Sequence, residues 1–412
     1  MQADATGTAG QDGVLVSQPV HQHAYETAVA AQEAGSLRWF VTGIYDTGRG
    51  LAAPWLRAWL PSGPRGRVEG ELRRRRHPEL DPARVLTIPS SHLLATGCRR
   101  AFARLPCLRR VDLEPWAHRR FDRELSRQLA RLPGVRVVHA FEGTALATFQ
   151  AARQAGMRTV LDVASAHERY MAVEGRSLQP RIAQERLLAD ILLAPSDYVV
   201  SCLTEAGVDA SRIVKVPYGV DQATFRRDAG ARADGVYRVV FVGRIGRRKG
   251  VQHLLEAWRR LALPDAELLL VGEADEQGRR LLDRYAGLYR HLGARPRHEV
   301  HRFLRESDVF VLPSLAEGSA LVTYEAMASE LPIITTPNSG SVARNGVDGF
   351  LVPAGDVDAI GERLALLHAQ PALRRTMGAR GRQLIEQAYT WRHYRARIGQ
   401  LHHRVLGTGG RP

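Results

Sequence analysis

Residues 308–336 read "DVFVLPSLAEGSALVTYEAMASELPIITT". The segment "DVFVLPS" reads as a buried strand, and Pro313 and Ser314 end it. Ala320, Leu321, Tyr324, Met327 and Ala328 then recur at helical spacing, with Ser319 as the expected N-cap, and "LPIITT" reads as a second strand. Strand, helix, strand within thirty residues is a βαβ unit, which implies a parallel sheet. Glu317 falls in the turn ahead of the helix and Glu325 about two turns into it. As scaffold, both would be solvated surface acids.

Outward from this unit the pattern repeats. Downstream of a polar link, "YRVVFVG", "VQHLLEAWRRLA", "AELLLVG" and "RRLLDRYAGLYRHLG" alternate as strand, helix, strand, helix. Upstream of that link, "VLVSQPV", "LRWFVTGIY", "VRVVHAF", "RTVLDVA" and "ADILLAPS" are strands separated by helices such as "AYETAVAAQEAG" and "ALATFQAARQAG". The expected organisation is an α/β chain with two Rossmann-like, doubly wound domains. Residues 1–12 are a disordered lead, 13–218 the first domain and 219–387 the second. Residues 388–406 form a basic, aromatic C-terminal helix crossing back to the first. Ligands of such sheets sit beyond the carboxyl ends of the strands.

The 412 residues, 44% hydrophobic and 25% charged, suffice for two cores. No run approaches the roughly 18 apolar residues of a membrane helix, and the first residues lack the basic and apolar regions of a signal peptide. Cys98, Cys107 and Cys202 have no metal or CxxC spacing, which suits a reducing, cytoplasmic location. The net charge is +15, and of 58 basic residues only Lys215 and Lys249 are lysine. That balance favours anionic partners.

In "VVFVGRIGRRKGVQHLLEAW" a strand ends at Gly243 and a helix starts near Gly250, so Arg244 and Lys249 stand at a strand's carboxyl end beside a helix N-terminus. Backbone N–H groups and the helix dipole favour an anion there. A lysine kept in a chain that otherwise writes positive charge as arginine suggests a need for the thinner side chain. GxGxxG and a P-loop are both absent. A carboxylate such as Glu317 or Glu325 accepts two hydroxyl donors, which suits a vicinal diol, and N–H groups suit phosphate. Two diols around a diphosphate describe a nucleotide sugar.

The second half resembles the retaining, two-Rossmann (GT-B) glycosyltransferases of the family 4, or group 1, type. The marks are "VPYGVD", "VGRIGRRKG", the 308–336 stretch, "NGVDGFLVPAGDVDAI" and "TW", in series over about residues 185–395. The resemblance implies that the two domains face a cleft, the first taking the acceptor and the second the nucleotide sugar. Arg244 and Lys249 would bind the donor diphosphate beside Gly243. Glu317 would contact the transferred sugar, with Gly318, Ser319, Ala320 and Leu321 close to sugar and phosphates, and Glu325 would hold the ribose. A hydroxyl acceptor (glycan, glycolipid or small molecule) and no metal or other cofactor are implied. "GSAL" after Glu317 departs from the aromatic residue and glycine common in relatives, so sugar preference does not carry over.

Many relatives place a site histidine after a central strand of the first domain. Here that is His167, with His139 as runner-up and His21 and His23 as further lining. "RGRVEGELRRRRHPEL" contains Arg73, Arg74, Arg75 and Arg76, a run suited to anionic lipid at the inner face of a membrane; it lacks the interleaved aromatics and recognition module of a nucleic-acid binder. The resulting expectation is a cytoplasmic glycosyltransferase, peripheral at the membrane, of polysaccharide, cell-envelope or glycolipid biosynthesis, using a UDP or GDP sugar. A catalytically silent GT-B binding module and a nucleotide-sugar epimerase of the same fold are the alternatives.

Overall fold

The computed structural model describes residues 12–20, 23–46, 75–89, 113–166, 169, 172–173, 175, 179–226 and 234–407. In chain order the elements begin with β1 (Gly13–Ser17), α1 (His23–Glu33), β2 (Leu37–Thr42), β3 (Val85–Thr87), α2 (Glu114–Leu129), β4 (Val135–Phe141) and α3 (Leu146–Gln154). Then come β5 (Arg158–Asp162), α4 (Pro180–Leu188), β6 (Ile191–Ala194), α5 (Asp197–Glu205) and β7 (Ile213–Lys215). These seven strands form one sheet in the order β3-β2-β1-β4-β5-β6-β7.

The second sheet is built from β8 (Tyr237–Val242), α6 (Val251–Leu261), β9 (Ala266–Val271), α7 (Glu276–Arg284), β10 (Arg290–Gly293) and α8 (Arg297–Arg305). It continues with β11 (Val309–Leu312), α9 (Leu321–Ala328), β12 (Ile333–Thr335) and β13 (Gly349–Leu351). Its order is β10-β9-β8-β11-β12-β13. Helices α10 (Val357–Ala369), α11 (Pro371–Ala388) and α12 (Trp391–Gly407) close the chain. Both sheets are parallel and doubly wound, so each has a switch point beside its first strand, β1 or β8.

Two compact units result. One holds the described residues up to Asp162, Gln179–Leu192 and those from Arg395 on; the other holds those between Val163 and Leu178 and Leu193–Tyr394. In the second, β8 and β11 are buried along almost their whole length, as strands covered on both faces must be. Helix α6 seats Val251, Leu254, Leu255 and Trp258 against this sheet at the i, i+3, i+4, i+7 positions. Burying Val251, Leu254 and Leu255 contributes roughly 1.5–3 kcal/mol each, gross. In the first unit, α12 buries Ile398, Leu401 and Val405, and Arg395 donates to Glu26 at 2.7 Å and Glu33 at 2.8 Å.

Two local expectations are corrected. The helix expected through "LYRHLG" ends at Arg284, and Arg290–Gly293 instead pairs in parallel with β9, Arg290 opposite Leu269. As an edge strand it leaves Arg290 and His291 exposed, so it lacks the apolar run of a buried strand. Ser319 is not the cap of α9. Ala320 holds that position, and Ser319 Oγ lies 3.0 Å from both Gly340 O and Tyr324 Oη.

Candidate functional site

The carboxyl ends of β8 and β11 lie next to one another, because these strands are paired. After β8 the chain passes Gly243 and Arg244, makes a 3-10 turn over Arg247–Lys249 and enters α6 at Gly250. Gly250 has φ of +70°, and a Cβ there would lie 1.9 Å from Pro313 O at the end of β11. Only glycine lets the two connections approach so closely. The contact is extended by Leu315 N–H donating to Arg248 O at 2.8 Å and by Arg248 Nη1 donating to Ala316 O at 3.3 Å.

This stitching brings two cations onto one acid. Lys249 Nζ lies 2.9 Å from Glu317 Oε1, and Arg248 Nη1 pairs with the same oxygen. The lysine stem runs beside Gly243, with Cε 3.6 Å from where a Cβ would sit. Burial, then the Arg248 and Arg244 charges, push the Lys249 ammonium down to about 7; the Glu317 carboxylate opposes that trend. Arg244 is exposed and has no ion pair among the described residues. Of the two cations expected from sequence, Lys249 therefore meets Glu317. Arg244 acts on Lys249 through its charge but makes no ion pair with Glu317, which Arg248 meets instead.

The turn after Glu317 is threaded between two stretches of backbone. A Cβ on Gly318 would lie 1.8 Å from Ala164 O, and one on Gly340 would lie 2.1 Å from Gly318 O. Glu317 N–H donates to Asn338 O and Ala320 N–H to Ser339 O, both at 3.0 Å. The N–H groups of Gly318, Ser319 and Leu321 have no acceptor among the described residues. They sit at the start of α9, where the helix dipole favours negative charge. Glu325, about one turn into the helix rather than the two expected, has a side chain only 7% exposed. Burial raises its pKa, and Arg297 opposes this from 2.9 Å. Arg297 went unnoticed in the sequence, where it is only the residue after a helix-starting proline.

In the first unit, the matching helix start at α3 is closed. Glu185 accepts from the N–H groups of Gly143, Ala145 and Leu146, and Asp122 from those of Ala147 and Thr148. Arg181 bridges the two acids. His139 is fully buried in β4, its Nδ1 2.9 Å from His402 Nε2 of α12, so it is a core residue. His23 Nε2 lies 4.0 Å from Asp162 Oδ2 at the end of β5. His167, His21, Arg73 and Arg74 lie outside the described residues. Of the remaining arginine run, Arg75 is half-buried and Arg76 exposed.

Residues 222–384 match the family described as glycosyl transferases group 1. The chain is 30% identical over 191 residues to the putative colanic acid biosynthesis glycosyltransferase WcaL of Salmonella typhimurium, covering 43% of this chain and 47% of that one. It spans about half the length of the curated relatives it matches. Its fold resembles sucrose-phosphate synthase from Thermosynechococcus elongatus, with a TM-score of 0.66 at 20% identity over 97% of this chain and 100% of that one. Anabaena Alr3699/HepE, solved in complex with UDP, gives 0.64 at 14% identity over 96% and 100%. The fold is GT-B.

Proposed function

We propose that this chain, whose residues 222–384 match the glycosyl transferases group 1 family, moves a sugar from a nucleoside diphosphate to a hydroxyl acceptor. The observation that carries the reading is the convergence of Lys249 and Arg248 on Glu317 at the carboxyl ends of β8 and β11, beside three N–H groups that have no acceptor among the described residues. Cations and N–H donors at that point suit a diphosphate; the carboxylates suit sugar and ribose hydroxyls. UDP, which Alr3699/HepE holds, is the first donor base to test, with GDP second.

In this reading Lys249, Arg248 and the exposed Arg244 take the diphosphate and stabilise its charge as the glycosidic bond breaks. Glu317, released from its cations, turns to a hydroxyl of the transferred sugar. Glu325 holds the ribose. Transfer proceeds with retention, and a diphosphate oxygen on the same face takes the acceptor's proton. His167 is the site histidine that the resemblance implies. No step requires a metal.

The acceptor is a glycan or a lipid-borne sugar. The lipid reading draws on α2, where Arg119, Arg120, Arg123 and Arg127 line one groove with Trp116, itself 40% exposed, and on the exposed Arg76. Such a row suits an anionic surface at about 1 kcal/mol per basic residue. Among the described residues no helix is long and apolar enough to cross a membrane.

Thermal-shift screening with UDP, GDP, ADP and TDP and their sugars tests the donor. A ligand at a hundred times its dissociation constant should stabilise by about 2.7 kcal/mol. Lys249→Ala should abolish that shift. Glu317→Gln should leave UDP binding intact or tighter, since it removes an internal competitor, while lowering transfer by about 30- to 1,000-fold. A nucleotide shift undiminished in Lys249→Ala would overturn the assignment.

A further inference from the structure

We propose that Arg297 is a positioning residue that holds Glu325 as an oriented carboxylate for a ribose diol, and so sets nucleotide affinity; this rests on the donor reading above. Glu325 lies on the inner side of α9, its neighbours Tyr324, Ala326 and Met327 fully buried. A carboxylate in such surroundings loses hydration and tends to take up a proton unless a cation is placed beside it. Arg297 supplies that cation from the first turn of α8, with Nη2 2.9 Å from Oε1.

The other elements packed on α9 bring little that could substitute. Strands β11 and β12 carry no ionisable side chain, being "VFVL" and "IIT". From α11, Arg382 is engaged by the carbonyls of Ala328, at 2.6 Å, and Gln222, at 3.0 Å. Along α8, His301 and Arg305 follow Arg297 at helical spacing, and Arg305 donates to Thr224 O. Among the described residues, Arg297 is the cation in contact with Glu325.

The geometry also leaves room for the diol. The guanidinium approaches Oε1 and makes no hydrogen bond to Oε2. An ionised carboxylate offers about four acceptor sites, so two hydroxyls can still be received. Once protonated, the group turns one oxygen into a donor and fits the diol less well. Arg297 is itself 52% exposed, so its removal leaves little cavity behind.

The test is UDP titration by calorimetry between about pH 6 and pH 8.5 with wild type, Arg297→Met, Arg297→Lys and Glu325→Gln. The quantity read is the ratio of variant to wild-type Kd at each pH, in which titration of Lys249 cancels. For Arg297→Met the ratio should be about tenfold or more at the acid end and fall to within about threefold at the alkaline end. Arg297→Lys should stay near one, and Glu325→Gln should be weak at every pH. A ratio near one throughout for Arg297→Met, or a raised ratio that neither varies with pH nor is rescued by lysine, overturns the proposal. Wild-type affinity in Glu325→Gln overturns the ribose reading itself, a separate failure.

Discussion

Replacing Gly250 with alanine isolates the contact that assembles the site. Two costs add. The residue sits at φ +70°, where an L side chain costs about 1–2 kcal/mol. Its new Cβ would also lie 1.9 Å from Pro313 O and 2.8 Å from Pro313 C, groups of a strand end that cannot rotate away. Forcing the two connections apart adds about 1–3 kcal/mol. The sum, about 2–5 kcal/mol, corresponds to a fall in Tm of roughly 5–15 °C for a unit of this size. Gly346→Ala is the control, since Gly346 has φ +75° with nothing within 4 Å of the added Cβ. It carries the dihedral cost alone, a few degrees. Differential scanning calorimetry measures both. Because Lys249 directly precedes Gly250, the variant should also weaken UDP binding, whereas Gly346→Ala should not. Equal Tm shifts in the two variants would refute the steric argument.

Two further outcomes are expected. With the Lys249 ammonium held down to about 7, a bound diphosphate raises its proton affinity, so binding takes up a proton above neutral pH and UDP affinity declines as pH rises through that value. Calorimetry in buffers of differing ionisation enthalpy should show this uptake at about pH 8, and Lys249→Arg, which stays charged, should not; no uptake in wild type counts against it. The buried His139–His402 pair makes the fold acid-labile. Burial lowers both imidazoles, His402 to about 3, so the unfolded chain binds more protons below pH 6.5. The pair's stability is therefore complete above that pH and lost as pH falls towards the folded value. At pH 5.5 the loss is about 1.4 kcal/mol per imidazole. Urea unfolding at pH 7.5 and 5.5 should show it in wild type and not in the double variant His139→Leu, His402→Leu; parallel losses in both would exclude the pair as the cause.

The alternation of apolar strands and amphipathic helices made both sheets legible, because parallel strands buried on both faces leave unbroken apolar runs such as "VVFV" and "VFVL". Lys249, Glu317 and Glu325 were legible because their positions relative to a strand end and a helix start follow from local pattern. Arg248 was not, since "RIGRRKG" offers several cations and the 3-10 turn decides which one faces the acid. Arg297 lies 28 residues from Glu325, and a pairing between two helices leaves no local trace in one sequence. The exposed edge strand β10 and the true partners of Ser319 were hidden for the same reason: tertiary neighbours settle both.

The closed start of α3 has a consequence for fidelity. A chain with two similar sheets risks two berths for the same phosphates, and a donor lodged in the wrong one would be inert and would block the acceptor. At α3 the five N–H groups of Gly143, Ala145, Leu146, Ala147 and Thr148 already donate to Glu185 or Asp122, so a diphosphate arriving there finds its donors taken. At α9 the N–H groups of Gly318, Ser319 and Leu321 have no acceptor among the described residues. Despite a net charge of +15, the molecule is thus polarised at the scale of single helix ends, and under the proposed donor reading a diphosphate is directed to the second sheet.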